Sequence, residues 1–545
     1  MNIAKVTKNN LWVKFFSNFD QNLQNSISMY FKKATFCLII YAFLSGCSKK
    51  VTQQVISKPI GPKREFRAVW VATVDNIDWP SRKGLSSEVQ QQDFRTLLDK
   101  QKSYGMNAVL VQVRAAADAF YARSKEPWSE WLTGEQGKAP DPYYDPMTFM
   151  IQESHQRGLE FHAWLNMNRG AHKVSKSIAD NHITKTKPEW FLSYGGYKLF
   201  NLGIPEVRTY ITDIVVNIVQ NYDVDGIHFD DYFYPYTESN EKLRDEATFK
   251  RYNDGFKNIE DWRRHNVNLV VKNVSEAIKR EKPKVKFGIS PSAVWRNAST
   301  DPIGSATQGG QPSYDNLYAD TRKWVKEGWL DYITPQIYFS FEFEKVPYKV
   351  MTDWWIKNSF GRHLYIGHGA YRVKAGSKEI GWEKGNQISR QIRYNRTKPQ
   401  IAGSIFFSAK SLNNNELSVS DSLRKLYYYP ALMPTMPWKD KIPPNAPQNV
   451  KIQKVADLGV SITWELPATL PKDGDEVQAF VVYRFDENEQ INLENPAKIL
   501  QIVRNEGILS CTDKTLNREK LYIYVVTALD RLQNESIMSN VAKLK

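Results

Sequence analysis

Cysteine is scarce in this chain, with three residues among 545. Cys37 and Cys47 both lie near the N-terminus, so Cys511 is the one cysteine left downstream of Cys47. Without a second cysteine in that region, no intramolecular disulfide can form there. If the chain is exported, its stability must come from a hydrophobic core, and several hundred residues are enough to build one.

The chain also lacks the residue patterns of metal sites and of low-complexity proteins. Its eight histidines show neither HxxxH nor HExxH spacing, and no repeat or biased segment occurs. A metallohydrolase built on His228, Asp230 and His368 is therefore a disfavoured alternative, and we predict no metal and no cofactor. With 41% hydrophobic and 24% charged residues, the chain is globular and long enough for one large domain and one small domain.

The formal net charge is +15, but the basic residues are scattered. The densest basic loop, Lys176–Trp190, forms no continuous stripe along a helix. Proteins that bind nucleic acid concentrate their positive charge on one face or one helix. We therefore predict no nucleic acid as a partner, whereas an anionic glycan or a membrane surface is compatible with this bias.

The N-terminus has the layout of a signal peptide. Lys32 and Lys33 precede an apolar run over residues 34–44, which is too short to span a membrane. The sequence LSGC that follows resembles the lipobox of bacterial lipoproteins, in which the cysteine, here Cys47, is diacylated and becomes the new N-terminus. Residues 1–46 are predicted to be the signal region, and Met29 is an alternative start that gives a signal peptide of ordinary length.

Lipidation at Cys47 places the protein in the cell envelope, anchored to a membrane through its N-terminal lipid. Residues 47–62 then form a lipidated tether. Ser48 follows the cysteine, so the aspartate that retains lipoproteins at the inner membrane is missing. We therefore expect the outer membrane of a Gram-negative bacterium.

Beyond the tether, apolar strands alternate with helical segments. Eight such strands are predicted, at residues 66–74, 107–113, 159–166, 223–235, 285–295, 331–339, 364–371 and 401–409. Eight alternations of strand and helix are typical of a parallel (β/α)8 TIM barrel of the α/β class. We place this barrel at residues 63–437.

Polar side chains recur where these strands end, which is the face of a TIM barrel that carries the active site. They are Asp75, Arg114, Asn166, Asp230, Ser290, Gln336, His368 and Ser408.

The fourth strand, DVDGIHFDDYFYP at residues 223–235, ends in two adjacent acids. Side chains alternate along a strand, so His228 and Asp230 are predicted to face the barrel interior and Asp231 the opposite side. Buried carboxylates need a partner or a chemical role. In the purely structural interpretation, Asp231 caps the following turn and Asp230 pairs with a basic neighbour.

Five stretches together resemble the glycosyl-hydrolase-like family ten of exported bacterial barrel proteins. They are REFRAVWVATVDNIDWP, ADAFYARSKEPWSEWLTG, EFHAWLNMNRG, DGIHFDDYFYP and ITPQIYF. The resemblance covers about Lys63–Pro434. It implies glycoside hydrolysis, and at least one member of the family acts on peptidoglycan glycan strands stripped of peptides; another polysaccharide remains an open alternative.

Glycoside hydrolysis uses one carboxylate as nucleophile or base and another as acid. Asp230 is predicted as the nucleophile, because GIHFD resembles the GFRxD strand of barrel glycosidases. Those enzymes carry their acid on strand five, where GISPSAVW has none. Asp118 and Glu126 are therefore candidates for the acid, and Asp231 and Glu342 are weaker ones.

The residues predicted to position or stack on sugar are Asp75, Arg114, Trp128, Trp164, Asn166, Asn168, His228, Trp295, Gln336, Tyr338 and His368. Because strand five lacks an acid, the non-enzymatic alternative is a catalytically weak or inactive glycan-binding surface lipoprotein.

The end of the chain predicts a separate small domain. Pro443–Pro447, PPNAP, is a stiff boundary, and short alternating strands follow it. Residues 445–545 are predicted to form an all-β sandwich. Trp464 and Tyr522 resemble their counterparts in fibronectin type III domains, with Tyr522 as the tyrosine corner. The expected role of this C-terminal domain is docking or spacing.

Overall fold

The structure, a computed structural model, describes residues 60–455, 459–517 and 519–543, which belong to one compact unit, Lys58–Lys545. The predicted signal region, Cys47 and nearly all of the tether lie outside the described residues. Within the described ranges, no helix has the length and apolar character needed to cross a membrane.

Eight parallel strands close into a barrel in sequence order, which confirms the predicted fold. They are β1 (Phe66–Val71), β2 (Ala108–Arg114), β3 (Glu160–Leu165), β4 (Gly226–Phe229), β5 (Lys286–Ile289), β6 (Tyr332–Ile333), β7 (His363–Gly369) and β8 (Ile401–Phe407). Parallel pairing of Phe66 with Gly403 joins β1 to β8 and closes the sheet.

A helix follows each strand on the outside of the barrel. These helices are α1 (Ser87–Ser103), α2 (Pro146–Gln156), α3 (Pro205–Asn221), α4 (Ile259–Glu281), α5 (Thr321–Lys326), α6 (Tyr348–Lys357), α7 (Gln387–Asn395) and α8 (Val419–Leu426). Local sequence explains where they begin. The Asp145 carboxylate accepts hydrogen bonds from the Met147 and Thr148 N–H groups at the start of α2, as its cap position predicts.

Strands β5 and β6 are shorter than predicted. The sequence pattern predicts that β5 reaches Trp295 and β6 reaches Phe339, whereas these strands end at Ile289 and Ile333. Pro291 and Pro335 lie just beyond these ends. Proline has no N–H to donate to a neighbouring strand, so the regular ladder ends here. Beyond it the pairing continues only as single bridges, which join Gln336 to Ser292 and to Gly367.

A small antiparallel sheet is inserted between β3 and α3, and the sequence analysis did not predict it. Its strands are Arg169–Ala171, Phe191–Tyr194 and Tyr197–Phe200. Gly195 and Gly196 connect the last two strands with φ of 53° and 80°, a conformation that hairpin turns of this type require. The insertion lies against the mouth of the barrel because its first strand starts four residues after β3 ends.

Beyond the barrel, seven short strands form two antiparallel sheets, which confirms a small all-β C-terminal part. They are β9 (Gln448–Val455), β10 (Gly459–Glu465), β11 (Ala479–Asp486), β12 (Ile499–Arg504), β13 (Ser510–Asp513), β14 (Tyr522–Leu529) and β15 (Ala542–Lys543). The sheet orders are 9-10-13 and 12-11-14-15. Trp464, Phe480, Tyr524 and the buried Cys511 pack in one shared core.

This sandwich packs against the N-terminal end of the barrel strands. Leu432 is buried among apolar side chains of the four-stranded sheet. Lys63 and Arg64, just before β1, form ion pairs with Glu535 at 2.7 and 3.4 Å. Arg531 donates to Asp223, just before β4, at 2.5 Å. The sandwich therefore lies at the opposite end of the barrel from the predicted active site.

A chain ending at Pro437 is expected to unfold cooperatively and to keep its activity on a soluble glycan, since the barrel is closed without the sandwich. Its melting temperature should be lower, because truncation uncovers Leu432 and removes Glu535 from Lys63 and Arg64. Calorimetry measures the melting temperature of the truncated and full-length chains. The full-length variant Glu535→Gln is the control, because it loses only the ion pairs with Lys63 and Arg64. Aggregation of the truncated chain would show that the barrel and the sandwich form one folding unit.

Candidate active site

Asp230 and Asp231 follow directly after β4 and are both buried, each 6% exposed. One Asp230 oxygen, Oδ2, accepts hydrogen bonds from Trp164 Nε1 at 3.2 Å and Asn166 Nδ2 at 3.0 Å. The other, Oδ1, has only longer contacts, 3.4 Å from Asn166 Nδ2 and 3.5 Å from the Tyr232 N–H. Asp230 therefore lies over the barrel interior with one oxygen weakly engaged.

Asp231 lies at the same mouth, although strict alternation predicted that it would point away. Its carboxylate accepts a hydrogen bond from the Tyr236 hydroxyl and another from the Gln336 side chain, at the end of β6. The expectation that only one acid faces the mouth is thus wrong. The ladder ends at Phe229, so the period-two rule no longer applies to the next two residues.

The two carboxyls share an electrostatic environment that favours one proton on the pair. Burial, followed by the nearby charge of Asp231, raises the pKa of Asp230 to about 7. Burial also raises the pKa of Asp231, while the Tyr236 hydroxyl opposes that shift. Two neighbouring carboxyls in a desolvated site cannot both ionise easily. The pair can therefore hold and release a proton near neutral pH.

Arg169 is the functional side chain that the sequence analysis missed. It is 5% exposed, and its positive charge lowers the pKa of both acids, against the larger effect of burial. Its guanidinium lies 4.7 Å from the Tyr232 ring centre and 5.7 Å from that of Tyr197, within cation–π range. The available signal was its place, directly after Asn168 at the end of the third strand.

Glu126, a predicted general acid, is bound in a buried ion pair. Arg114 donates to both of its oxygens at 2.7 Å, and the Tyr210 hydroxyl donates at 3.0 Å. Although burial opposes it, the charge of Glu126 raises the pKa of Arg114. A third Arg114 bond, 2.6 Å to the Asn166 carbonyl, connects β2 to β3. Arg114 and Glu126 thus support the mouth, and neither is free to bind sugar or donate a proton.

Asp118, the other predicted acid, is also structural. It is 1% exposed and accepts hydrogen bonds from the N–H groups of Ala115 and Ala116 at 3.1 and 2.9 Å. These bonds stabilise the turn after β2, in which Ala117 has a φ of 47°. Burial raises the Asp118 pKa, but its carboxylate is committed to this turn.

Three further predicted side chains lie at the mouth. Asn168 donates to the Phe233 carbonyl and so holds the segment that follows the two acids. Gln336 donates to the Ser290 carbonyl at 2.8 Å, and its side chain also bonds Asp231. Tyr338 is half-buried, with its ring 6.4 Å from that of Phe407 at the end of β8.

His228 faces the barrel interior, as predicted, but it is fully buried and both ring nitrogens are occupied. Nε2 lies 3.2 Å from Trp70 Nε1 and 2.9 Å from Ser290 Oγ, and Nδ1 lies 3.1 Å from the Tyr332 hydroxyl. An indole N–H can only donate, so Nε2 is the acceptor and Nδ1 carries the proton. Burial lowers the pKa of His228 well below its usual value. The neutral ring therefore supports the site from below.

His368 does not lie at the mouth, which corrects its predicted role. Its Nδ1 lies 2.8 Å from the Gln391 oxygen on α7, and its Nε2 lies 3.0 Å from Ser404 Oγ on β8. The ring stacks on Phe406 in the layer between the barrel and the helices. It cannot join His228 and Asp230 around a metal, because it lies on the other side of the sheet.

The remaining predicted site residues lie either in the core or at the surface. Trp295 is buried, bonds Asp320 at 3.1 Å and stacks on Trp354, so it is a core residue. Trp128 is partly exposed, with its ring edge-on to Tyr143. Asp75 lies exposed in the short turn Val74–Asn76.

Asp78, rather than Asp75, is the acid that joins β1 to β8 at the mouth. It accepts hydrogen bonds from the Ala72 N–H, Ser408 Oγ and the Lys410 N–H at 2.7, 2.7 and 2.6 Å. Burial raises its pKa to about 6. Its contacts with β8 exist only in the folded barrel, so the strand pattern does not distinguish it from Asp75.

Comparisons with known proteins identify the family of the barrel. Residues 65–383 match the family model described as Glycosyl hydrolase-like 10. Glycosyl hydrolase YngK of Bacillus subtilis is 42% identical over 509 residues, which cover 90% of this chain and 98% of that protein. Glycosyl hydrolase DigH of Escherichia coli K12 is 36% identical over 403 residues, 68% of this chain and 91% of that protein.

Among solved structures, the glycoside hydrolase domain of PgaB (BpsB) from Bordetella bronchiseptica matches with a TM-score of 0.42 and 12% identity, covering 69% of this chain and 100% of that domain. The family model covers more than half of the chain, including β1–β7 and both acids of the mouth. The chain therefore belongs to the glycosyl hydrolase-like 10 family of glycoside hydrolases.

Proposed function

We propose that this protein is a lipid-anchored glycoside hydrolase of the cell envelope that cleaves the glycan of peptidoglycan or another polysaccharide. The observation that carries the proposal is the Asp230–Asp231 pair, buried at the C-terminal mouth of the barrel and able to hold one proton near neutral pH. Glycosidic cleavage requires such a proton at the leaving oxygen.

In this proposal Asp230 is the general acid, not the nucleophile that the sequence analysis predicted. Its pKa is raised to about 7, so it is protonated in a large share of molecules at neutral pH. Its Oδ1 is the weakly engaged oxygen and can present the proton to a substrate. Asp231 is the charged partner, because Tyr236 donates to it and Arg169 lies nearby.

Aromatic rings on the rim are suited to stack on sugars. Tyr371, 48% exposed, lies 5.9 Å from Tyr338 and 6.0 Å from Phe407, ring centre to ring centre. Tyr232, 39% exposed, directly follows the two acids in the chain. Stacking of this kind would place a glycan across the acid pair.

The alternative, an inactive glycan-binding lipoprotein, gains support from the structural roles of Asp118 and Glu126. Reducing-end release separates the two functions. Peptide-free peptidoglycan strands, intact peptidoglycan and α- and β-glucans are incubated with the protein, with and without EDTA. We expect release from at least one substrate, highest on peptide-free strands and unchanged by EDTA. Binding without release on all of them would support the alternative, and loss of release in EDTA would support the metallohydrolase.

The proposed lipid anchor rests on the lysine pair, the apolar run and the LSGC motif near the N-terminus. Replacing Cys47 by Ala is expected to move the protein from the membrane fraction to the soluble fraction, because acylation of this thiol is the proposed attachment. Fractionation followed by immunoblotting checks this, with Cys511→Ala as the matched control that stays in the membrane. An unchanged distribution of Cys47→Ala contradicts the lipoprotein proposal.

We also propose that the C-terminal sandwich is of the fibronectin type III kind and serves docking. Its three-plus-four sheet arrangement supports this. So does Tyr522, whose hydroxyl accepts a hydrogen bond from the Asn517 N–H, five residues upstream, at 3.3 Å. The 90% coverage by the Bacillus relative necessarily includes part of this domain, since residues before 445 make up about four fifths of the chain.

A further inference from the structure

Resting on the proposed lipid anchor, we propose that the base of the barrel, where the chain enters β7 and β8, is a second membrane contact that binds the phosphates of anionic phospholipids. We call it the basal surface and define it as residues 356–363 and 395–401. Loops that precede the parallel strands lie at the end of the barrel opposite the mouth. The acid pair therefore faces away from the bilayer.

The N-terminal tether reaches the barrel beside the basal surface. Ile60, the first residue that the structure describes, is 63% exposed. The next residue, Gly61, packs on the Arg396 guanidinium, which a Cβ at this position would approach to 2.9 Å. Cys47 and Ile60 are 13 positions apart, and an extended chain of that length spans at most about 45 Å. A lipid on Cys47 thus holds this end of the barrel within reach of the headgroups.

A cavity of about 700 Å³ opens at the basal surface. Its walls include Phe360, Arg362, Arg396, Lys398 and Trp438, and all of its lining residues lie between positions 62 and 438. The cavity therefore belongs to the barrel, and no residue of the sandwich lines it. Its volume is in the range of pockets that hold small ligands, so it has room for a phospholipid headgroup.

The two loops of the basal surface are basic, and neither contains an aspartate or a glutamate. Two of their cations have acidic partners elsewhere in the chain. The Arg396 guanidinium pairs with Glu65 at 2.7 Å, and the Lys398 ammonium pairs with Asp353 at 3.2 Å. The remaining basic side chains of these loops are left without a compensating charge.

These uncompensated cations are Lys357 and Arg362, together with Arg322, which packs on the same loop. Within the part of the chain that the structure describes, none of the three forms an ion pair. Arg362 lies 4.9 Å from the ring centre of Trp438, and Arg322 lies 5.1 Å from that of Phe360. Aromatic rings rather than carboxylates hold these guanidiniums, so their charge is available to an anionic partner.

Exposed apolar side chains accompany the cations and favour a lipid over free phosphate. Phe360 is 39% exposed in the turn before β7, where its φ is 46° and that of Gly361 is 75°. The exposed Ile60 lies two residues before Pro62, which lines the same cavity. Basic side chains beside exposed aromatic and aliphatic ones are typical of surfaces that rest on a bilayer, since charges meet phosphates and apolar groups meet the acyl boundary.

The test measures binding of the chain Ser48–Lys545, which has no lipid and contains the whole compact unit, to sedimented vesicles. Vesicles of phosphatidylcholine with about 30% phosphatidylglycerol are compared with vesicles of phosphatidylcholine alone. We expect binding to the anionic vesicles to be at least about tenfold tighter at low salt. In about 1 M NaCl the difference should vanish, because the screening length falls to about 3 Å.

Substitutions then locate the contact. Lys357→Gln combined with Arg362→Gln is expected to weaken binding to anionic vesicles about tenfold, and Phe360→Ser about threefold. Arg362→Lys keeps the charge and should keep the binding, which separates loss of charge from loss of packing. The matched control is Lys125→Gln with Lys138→Gln, which removes two charges from exposed lysines in the loop after β2, at the mouth end, and should leave binding unchanged.

Equal binding to both kinds of vesicle, or an equal loss in the control pair, would overturn the inference. Binding of free glycerol phosphate, seen as a raised melting temperature, without binding to vesicles would also overturn it. The anchor is tested separately by fractionation of Cys47→Ala. If that variant leaves the membrane but Ser48–Lys545 binds no anionic vesicles, the anchor stands and the basal surface falls. If its distribution is unchanged while anionic vesicles are bound, the acyl anchor falls and the basal surface stands.

Discussion

Replacing Asp230 by Asn is expected to lower kcat by about 10³- to 10⁴-fold, because the amide cannot donate the proton that departure of the leaving group requires. Asp231→Asn should cost less, about 10- to 100-fold, since this side chain orients rather than transfers a proton. Both are measured as kcat on peptide-free glycan strands. A larger loss for Asp231 than for Asp230 would exchange their roles, and near-normal activity in both would remove the pair from the chemistry.

The stability of Asp230→Asn is the control that distinguishes loss of a catalytic group from loss of the fold. The folded-state pKa of Asp230 is raised above its unfolded value, so the folded state binds more protons and loses stability as pH rises from about 4 to 7. Asp230→Asn removes this charge and should raise the melting temperature at pH 8 relative to wild type. A variant that is inactive and also less stable would point to misfolding instead.

The pH profile of kcat/KM provides an independent check. If Asp230 acts as the acid, activity falls as pH rises through about 7. Because the charge of Asp231 contributes to the raised pKa of Asp230, Asp231→Asn should move that fall to lower pH. An unmoved alkaline limb would mean that another group supplies the proton.

Breaking the buried Arg114–Glu126 pair is expected to lower the free energy of unfolding by about 3–5 kcal/mol, the usual cost of an uncompensated buried charge. Arg114→Met leaves the Glu126 carboxylate buried, since the side chains are 2% and 1% exposed. The variant also loses the Arg114 bond to the Asn166 carbonyl, so activity should fall with stability. Denaturant unfolding and kcat on the same sample check both effects.

The matched control is an exposed ion pair, Lys242–Glu246, with side chains 80% and 53% exposed. Lys242→Ala should change the free energy of unfolding by less than about 0.5 kcal/mol, because water screens the pair. The double variant Arg114→Met, Glu126→Leu should recover part of the stability, since no charge is then left buried. If Arg114→Met were as mild as Lys242→Ala, the pair would not support the mouth.

Much of the fold follows from local sequence. The eight alternations of apolar strand and helix predicted the barrel, because each strand must be apolar enough to be covered on both faces. The cap at Asp145 and the break at Pro443–Pro447 are local signals as well. The fourth-strand acids were found from sequence because carboxylates are unexpected at the end of a buried strand.

The roles of individual side chains were decided by tertiary structure. Whether Glu126 is a free acid depends on Arg114, twelve residues away, and whether His368 reaches the mouth depends on α7. Periodicity could not show that Asp231 joins Asp230, because the strand ends at Phe229 and the chain then turns. A strand pattern determines which residues are buried, whereas the partner of a buried charge is set by elements distant in sequence that meet only when the barrel closes.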